Sequence, residues 1–487
     1  MAPIDTPNPI SPTADIVRDY YNGKAELADR IRRRKTSYHR ELEKVISRIV
    51  LPGRKVLDLG CGNGDLLAAL DVSEGLGIDL SEEMIKIAQS KNAGPKLNFM
   101  VGDAQDRNLL ASLKTKFDVI ILCNVITEMH DVQAVFEAIS EVCHNRTRII
   151  IFSYSRVWQI PLQVADRLGI KVKNPINNWL NVNMVTEMLH LAGFEAVRSI
   201  NHQIFPLSLG PLTSWINRYI GNLPIINRFA LMFGIVARPL SSPRPNSDCP
   251  SVSIVIPCRN EAGHIDHLAN RLPDLGPASE VFWVEGHSTD NTEEKIKEVI
   301  ARNPGERWHF LKQPGKGKGN AVRHAFDHAR GEILIILDAD ITVPPEDLPK
   351  FINLLTSNKA EFVNGCRFVY PMDEKSMRFL NFLGNRFFAS LFSFLLGQPV
   401  RDTLCGTKAL WHEDYKRIRE HRGYFGDFDP FGDFDLLFGA SRLNLKIVDL
   451  PIRYGERTYG ETNISRFGDG ALLLKMCLYA ARKLKFI

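Results

Sequence analysis

Several classes are excluded by what this chain lacks. Its eight cysteines include no CxxC pair and no Cys/His cluster at zinc spacing, so they read as reduced thiols in a cytosol rather than as a disulfide or zinc framework. No apolar run is long enough to span a bilayer; the nearest, FFASLFSFLL at 387–396, falls short, and any membrane contact is expected to be peripheral. The amino terminus, MAPIDTPNPISPT, is polar and Pro-rich, unlike a signal peptide, and residues 1–26 are expected to form a loose tail. The net charge of +5 is modest, and no DNA- or RNA-binding motif accompanies it, so no nucleic acid partner is expected. Internal repeats and low-complexity tracts are also missing.

The 487 residues that remain are too many for one ordinary core. Two α/β patterns run in series. In the first, after a basic helix near 27–50, strands are expected at 55–59, 75–78, 97–101, 118–123, 148–152 and 229–237. In the second they are expected at 252–256, 281–285, 309–311, 333–337, 361–364 and 447–450. Strands alternating with helices imply parallel sheets in both halves. The domains are accordingly drawn at 27–238 and 251–487, joined by the Pro/Ser-rich linker 239–250.

Asp338-Ala339-Asp340 is the most informative triplet. It follows the apolar run 333–337 and so places two carboxylates at the carboxyl end of a buried strand, where open α/β sheets bind ligands. Two such acids suit Mg²⁺ or Mn²⁺ shared with substrate phosphates. Upstream, Gly315-Lys316-Gly317-Lys318-Gly319 opens a helix with the glycines and cations that fit a diphosphate, without the GK[ST] ending of a P-loop.

The first half carries its own glycine loop. A strand runs through Asp58 into Gly60, Gly62 and Gly64, and Asp79 ends the next strand, placed for ribose hydroxyls. The GxGxG spacing is not the dinucleotide GxGxxG. With Asp103-Ala104 and Asn124 beyond later strands, this segment resembles the class I S-adenosylmethionine-dependent methyltransferases. The resemblance implies that the loop from Asp58 to Gly64 holds the methionine part, Asp79 the ribose, Asp103 and Ala104 the adenine, with Asn124 also at the cofactor. Glu128, His130 and Asp131 are candidates for a base; solvated loop residues or a scaffold without cofactor are the bland alternatives. The basic run 30–35 reads as a solvated face or an anionic-lipid contact.

The ordered set Pro257…Glu261, Glu285…Asp290, the glycine–lysine loop and Asp338-Ala339-Asp340 resembles family 2 glycosyltransferases of the A-type fold. The resemblance implies a nucleotide-sugar donor, with Pro257, Glu261, Glu285 and Asp290 around nucleobase and ribose, Lys316 and Asp338 at the diphosphate, and Asp338 and Asp340 holding the metal. Glu285 stands where the family usually has Asp. Asn364 to Val369, Arg378, the segment 402–408 and 451–462 resemble the dolichyl- and polyprenyl-phosphate mannosyltransferase branch, which implies that Arg367, Arg378 and Arg457 grip a lipid phosphate.

The expectation is therefore an α/β fusion of two Rossmann-like domains. It would be a bifunctional enzyme whose catalytic set is Asp338, Asp340, Arg457 and Asp433. It would transfer a hexose to polyprenyl phosphate at the cytoplasmic face of a membrane, with room for a membrane partner subunit. The apolar stretch 387–395 and the basic, apolar carboxyl end are expected to be interfacial helices or core helices. The alternatives are a polysaccharide synthase transferring to a hydroxyl with Asp433 as base, and a non-catalytic amino-terminal module. No QxxRW motif follows Asp433, and Gly432 replaces the Glu of the usual ED pair.

Overall fold

The computed structural model describes residues 12–33, 37–168, 175–205, 210–240, 250–276, 278–370, 379–424, 432–455, 457, 459 and 466–486. The chain divides into two compact units, with the boundary between Ser241 and Ser242.

The first unit is built on seven strands: β1 Arg54–Leu59, β2 Val72–Asp79, β3 Leu97–Val101, β4 Phe117–Cys123, β5 Cys143–Tyr154, β6 Phe194–His202 and β7 Met232–Pro239. Their order is β3-β2-β1-β4-β5-β7-β6. The first five are parallel, whereas β7 runs antiparallel to both β5 and β6. Both faces of the central strands are buried. Leu57, Leu59, Ile120 and Leu122 enter one core, and Val56, Val119 and Ile121 enter the other, as strands covered by helices on both sides require.

The second unit repeats the plan with β8 Val252–Cys258, β9 Glu280–Glu285, β10 Trp308–Lys312, β11 Ile333–Ile336, β12 Phe362–Cys366, β13 Lys408–Trp411 and β14 Ile447–Pro451, ordered β10-β9-β8-β11-β13-β12-β14. Here β13 is the reversed strand, antiparallel to β11 and β12. Ile254, Ile256, Ile333 and Ile335 are fully buried in its core, each contributing roughly 1.5–3 kcal/mol by leaving water.

Three expectations are corrected. Neither sheet is wholly parallel: short apolar strands encode burial but not direction, and β6 and β13 were not expected at all. Residues 12–26 are not a loose tail, since a helix spans Pro12–Arg33; a second, Ser37–Ile49, replaces the single basic helix near 27–50. Phe229, expected to open the strand 229–237, instead ends a 3₁₀ turn, Ile226–Phe229, and β7 begins at Met232.

Two long helices complete the second unit. Helix Phe379–Leu396 buries Phe392 between Phe434 and Phe438, with ring centroids 5.1 and 5.0 Å away, while Phe387 stays exposed. Helix Arg466–Leu484 buries Leu473, Met476, Cys477 and Ala480 and exposes Leu474 and Leu478. Each therefore has a core face. Among the described residues no helix is long and apolar enough to cross a membrane.

Candidate active sites

In the first unit the carboxyl ends of β1, β2 and β4 open into a cavity of about 230 Å³. The β1 loop turns through Gly60, Gly62 and Gly64, all with left-handed φ. A Cβ on Gly60 would strike Val125, and one on Gly64 would strike Phe99, so only glycine fits this turn. Asp79 fixes the loop: its Oδ2 accepts from the Gly62 amide at 2.8 Å and its Oδ1 from Ser81 at 2.9 Å. Asp103 Oδ1 accepts from the Gln105 amide at 2.9 Å. Asn124, also left-handed, donates to the Tyr38 hydroxyl at 2.7 Å, and Tyr38 stacks on Tyr154 at 5.9 Å. Burial pushes the Tyr38 hydroxyl well above its usual pKa.

Gly60, Gly62, Asp79, Asp103, Ala104 and Asn124 all line this cavity; Asp58 and Gly64 are not among its lining residues. Of the candidate bases, Glu128 accepts from the Tyr21 hydroxyl at 2.9 Å and His130 meets Thr13 at 3.2 Å. Asp131 caps helix Val132–Ala138 through the Ala134 amide at 3.0 Å, which gives it a structural task.

Sequence reasoning missed the cover of this cavity. Helix Pro12–Arg33 supplies Ala14, Val17, Arg18 and Tyr21 to the lining. Asn22 Oδ1 accepts from Ser81 Oγ at 2.7 Å and from the Glu83 amide at 3.3 Å, and Asp29 accepts from Asn63 at 2.8 Å. The signal lay beyond the Pro-rich start, where Ile16, Val17, Tyr20 and Tyr21 begin an amphipathic pattern.

In the second unit the strand ends are tied to one another. The Asn260 amide donates to Ser288 Oγ at 3.1 Å, and Asn260 Oδ1 accepts from the Thr289 amide at 2.7 Å. Glu285 is buried and accepts from the Ser288 amide at 2.6 Å; Asp290 accepts from the amides of Ala262 at 3.3 Å and Thr292 at 3.1 Å. Pro257 is a half-buried residue of β8. Past β11, Asp340 Oδ1 accepts from the Thr342 hydroxyl at 2.7 Å. Ile341 between them has φ +55°, a strained conformation for a β-branched residue and one that gathers at functional sites.

Cations ring this strand end. Lys318, at the first position of helix Lys318–His328, pairs with Asp338 Oδ1. Burial pushes the Asp338 carboxyl up, but Lys318 outweighs it and holds it below the ordinary range. Arg457 Nη2 donates to Glu261 at 2.5 Å, and its Nη1 stands 3.8 Å from Asp340. Residues expected in the donor and acceptor parts thus sit together. Burial raises the Glu261 pKa against the opposing pull of His264, 2.8 Å away, and Arg457.

The reversed strand β13 begins at this edge, where its first residue, Lys408, pairs in register with Ile336. Fully buried Lys408 holds Asp433 at 3.0 Å. Just before it, Gly406 lies so close to Lys318 and Asp338 that a Cβ would overlap both.

Two expected roles look different in this geometry. Lys316 is exposed, and Lys318 is the lysine that reaches Asp338; the alternating KGKG could not say which. Arg367 is buried in a bidentate pair with Asp402, Nε to Oδ2 at 2.7 Å and Nη2 to Oδ1 at 2.8 Å, and lies 5.0 Å from the Tyr454 ring. Its fork therefore holds the 402–408 turn in place. Arg378 lies outside the described residues.

A glycosyl transferase family 2 model matches residues 253–419, and a methyltransferase domain model matches residues 51–193. The glycosyltransferase AglJ of Haloferax volcanii is 31% identical over 233 residues, 47% of this chain and 71% of its own. The dolichyl-phosphate hexose transferase of the same organism is 34% identical over 206 residues, 41% of this chain and 82% of its own. This chain belongs to glycosyl transferase family 2. The Pyrococcus furiosus dolichol-phosphate mannosyltransferase is 27% identical over 224 residues, 44% of this chain and 59% of its own. The family 2 enzyme thus occupies the second unit, and the chain is a glycosyltransferase that also carries a methyltransferase domain.

Proposed function

We propose that the second unit transfers a hexose from a nucleotide diphosphate sugar to the phosphate of a dolichyl-type polyprenyl phosphate, with inversion, and that the first unit transfers a methyl group from S-adenosylmethionine. The observation that carries the acceptor assignment is the pair of cations Lys318 and Arg457 beside Asp338 and Asp340, with Asp433 engaged by buried Lys408. A hydroxyl acceptor needs a base to take its proton. A phosphate is already an anion at neutral pH and needs cations to bring it beside the anionic donor. The names of the two lipid-phosphate relatives point the same way.

Asp338 and Asp340 are hard oxygen donors at one strand end, a set that fits Mg²⁺ or Mn²⁺ completed by substrate phosphates and water. Such an ion would neutralise the departing diphosphate. Lys318 orients Asp338, Thr342 orients Asp340, and Arg457 would meet the acceptor phosphate with its donor fork. Glu285 and Asp290 hold the two loops where nucleobase and ribose would lie.

In the first unit the Gly60–Gly64 turn, Asp79 and the cavity reaching Asp103 fit S-adenosylmethionine, which supplies an electrophilic methyl group when bound. Asp79 would accept from ribose hydroxyls while keeping its bonds to Gly62 and Ser81.

The test is transfer. Purified chain with Mg²⁺, polyprenyl phosphate and a panel of labelled nucleotide sugars is expected to put label into the organic phase, and Asp340→Asn to abolish it. Donor binding without organic-phase label from any donor would overturn the phosphate acceptor and return a hydroxyl to consideration.

A further inference from the structure

Two stretches between the last strands of the methyltransferase sheet, 155–168 and the described residues of 203–231, turn apolar side chains to solvent. In the first, Val157, Ile160, Val164 and Leu168 are 57%, 74%, 46% and 68% exposed. Their spacing puts them on one face of helix Gln159–Arg167 and its flanking turns. The other face is already occupied, because Trp158 and Leu162 pack on the core and Trp158 Nε1 donates to the Phe229 carbonyl at 2.8 Å. The outward residues are thus a second apolar face.

The described residues of the second stretch, 203–205 and 210–231, fold with their polarity reversed. Asn217 is 3% exposed; its Oδ1 accepts from the Ile204 and Phe205 amides at 3.1 and 2.8 Å, and its Nδ2 donates to the Phe205 carbonyl at 3.0 Å. Asn222 and Asn227 likewise donate to backbone carbonyls of the segment. Against these inward amides, Trp215, Ile225 and Phe229 stand outward. Together the two segments hold ten of the 22 large apolar side chains exposed among the described residues, four in the first and six in the second. Water gives no reason for an apolar-out, polar-in arrangement, and a cluster of this kind marks a binding surface.

Charge selects the partner. Arg156, Arg167, Arg218 and Arg228 are exposed in these segments, and Asp166 is the one acid among their described residues. Trp and Tyr beside arginines suit the headgroup level of a bilayer. A second copy docking by the same face would bring arginines against arginines.

We propose that this face seats the methyltransferase unit on an anionic lipid surface, its apolar residues entering the boundary between headgroups and acyl chains and its arginines meeting lipid phosphates. The assignment holds whatever the sugar acceptor is. The test is co-sedimentation of the full chain with phosphatidylcholine vesicles, with and without phosphatidylglycerol. Wild type is expected to prefer the anionic vesicles, and the double variant Ile160→Glu/Ile225→Glu to lose about tenfold or more in partitioning. S-adenosylmethionine affinity by calorimetry is expected to stay unchanged in that variant, which separates lost docking from lost folding. Wild-type partitioning by the variant would overturn the proposal, as would absence of vesicle binding by wild type. A soluble wild-type dimer that the variant splits would assign the face to self-association instead. Loss confined to Leu474→Glu/Leu478→Glu in the carboxyl-terminal helix would place the lipid contact elsewhere and also overturn it.

Discussion

Gly406 shows how closely single residues constrain the strand end that carries Asp338 and Asp340. Its α-carbon faces the Lys318–Asp338 pair with no room for a methyl group, and a side chain there would push apart the two charges that set the strand end. Gly406→Ala is expected to cut sugar transfer about a hundredfold, roughly 2.7 kcal/mol in the barrier, with a much smaller change in melting temperature. Near-normal turnover by the variant would mean that Lys318 and Asp338 have slack the geometry does not show. Asp402 acts differently. It is fully buried and bonded to both arms of Arg367, so Asp402→Ala leaves a buried guanidinium without its partner and is expected to cost about 3–5 kcal/mol in denaturant unfolding. If Arg367 chiefly gripped acceptor phosphate, Arg367→Lys would raise the acceptor KM without a loss of stability; the pair predicts the reverse. Asp433→Asn discriminates the acceptors. With Lys408 at 3.0 Å its carboxylate is engaged, and the variant is expected to keep most of its transfer rate per folded molecule, whereas a hydroxyl-acceptor enzyme would lose about a hundredfold or more.

Among elements, helix Pro12–Arg33 is the one whose removal has the most specific consequence. It lines the cavity at the strand ends of the first unit and is fastened through Asn22 and Asp29, yet no strand of the sheet depends on it for pairing. A chain lacking residues 1–33 is expected to bind S-adenosylmethionine tenfold or more weakly by calorimetry, about 1.4 kcal/mol, while its far-UV circular dichroism keeps the sheet signal. Affinity equal to that of the full chain would show that the helix is only a neighbour of the cavity. The same helix marks a limit of sequence reading. Buried parallel strands such as β8 and β11 announce themselves as unbroken apolar runs, because both of their faces are covered. The two acids after β11 and the glycine turn after β1 were legible because the end of such a run locates the ligand edge. Strand β6, FEAVRSINH, sits at the sheet edge and reads as neither strand nor helix; β13 is four residues long and starts with a buried lysine. Missing β13 left Lys408, the end of the segment 402–408, without the reversed strand that delivers it. Lys318 was in view in the sequence, but whether it or Lys316 points inward depends on where the following helix begins.

The molecule as a whole joins two sheets that each enclose their own core and carry their own ligand edge. Each unit therefore has what it needs to unfold as a separate cooperative body, stabilised by the ligand that binds it. Calorimetry of the full chain is expected to resolve two transitions. S-adenosylmethionine at a hundred times its Kd contributes about 2.7 kcal/mol, which should raise one of them by roughly 5–10 °C and leave the other in place. A nucleotide sugar with Mg²⁺ should do the converse. Both transitions rising together with either ligand would require energetic coupling between the two ligand sites. Independent shifts would leave any link between the two activities to a substrate that both units share.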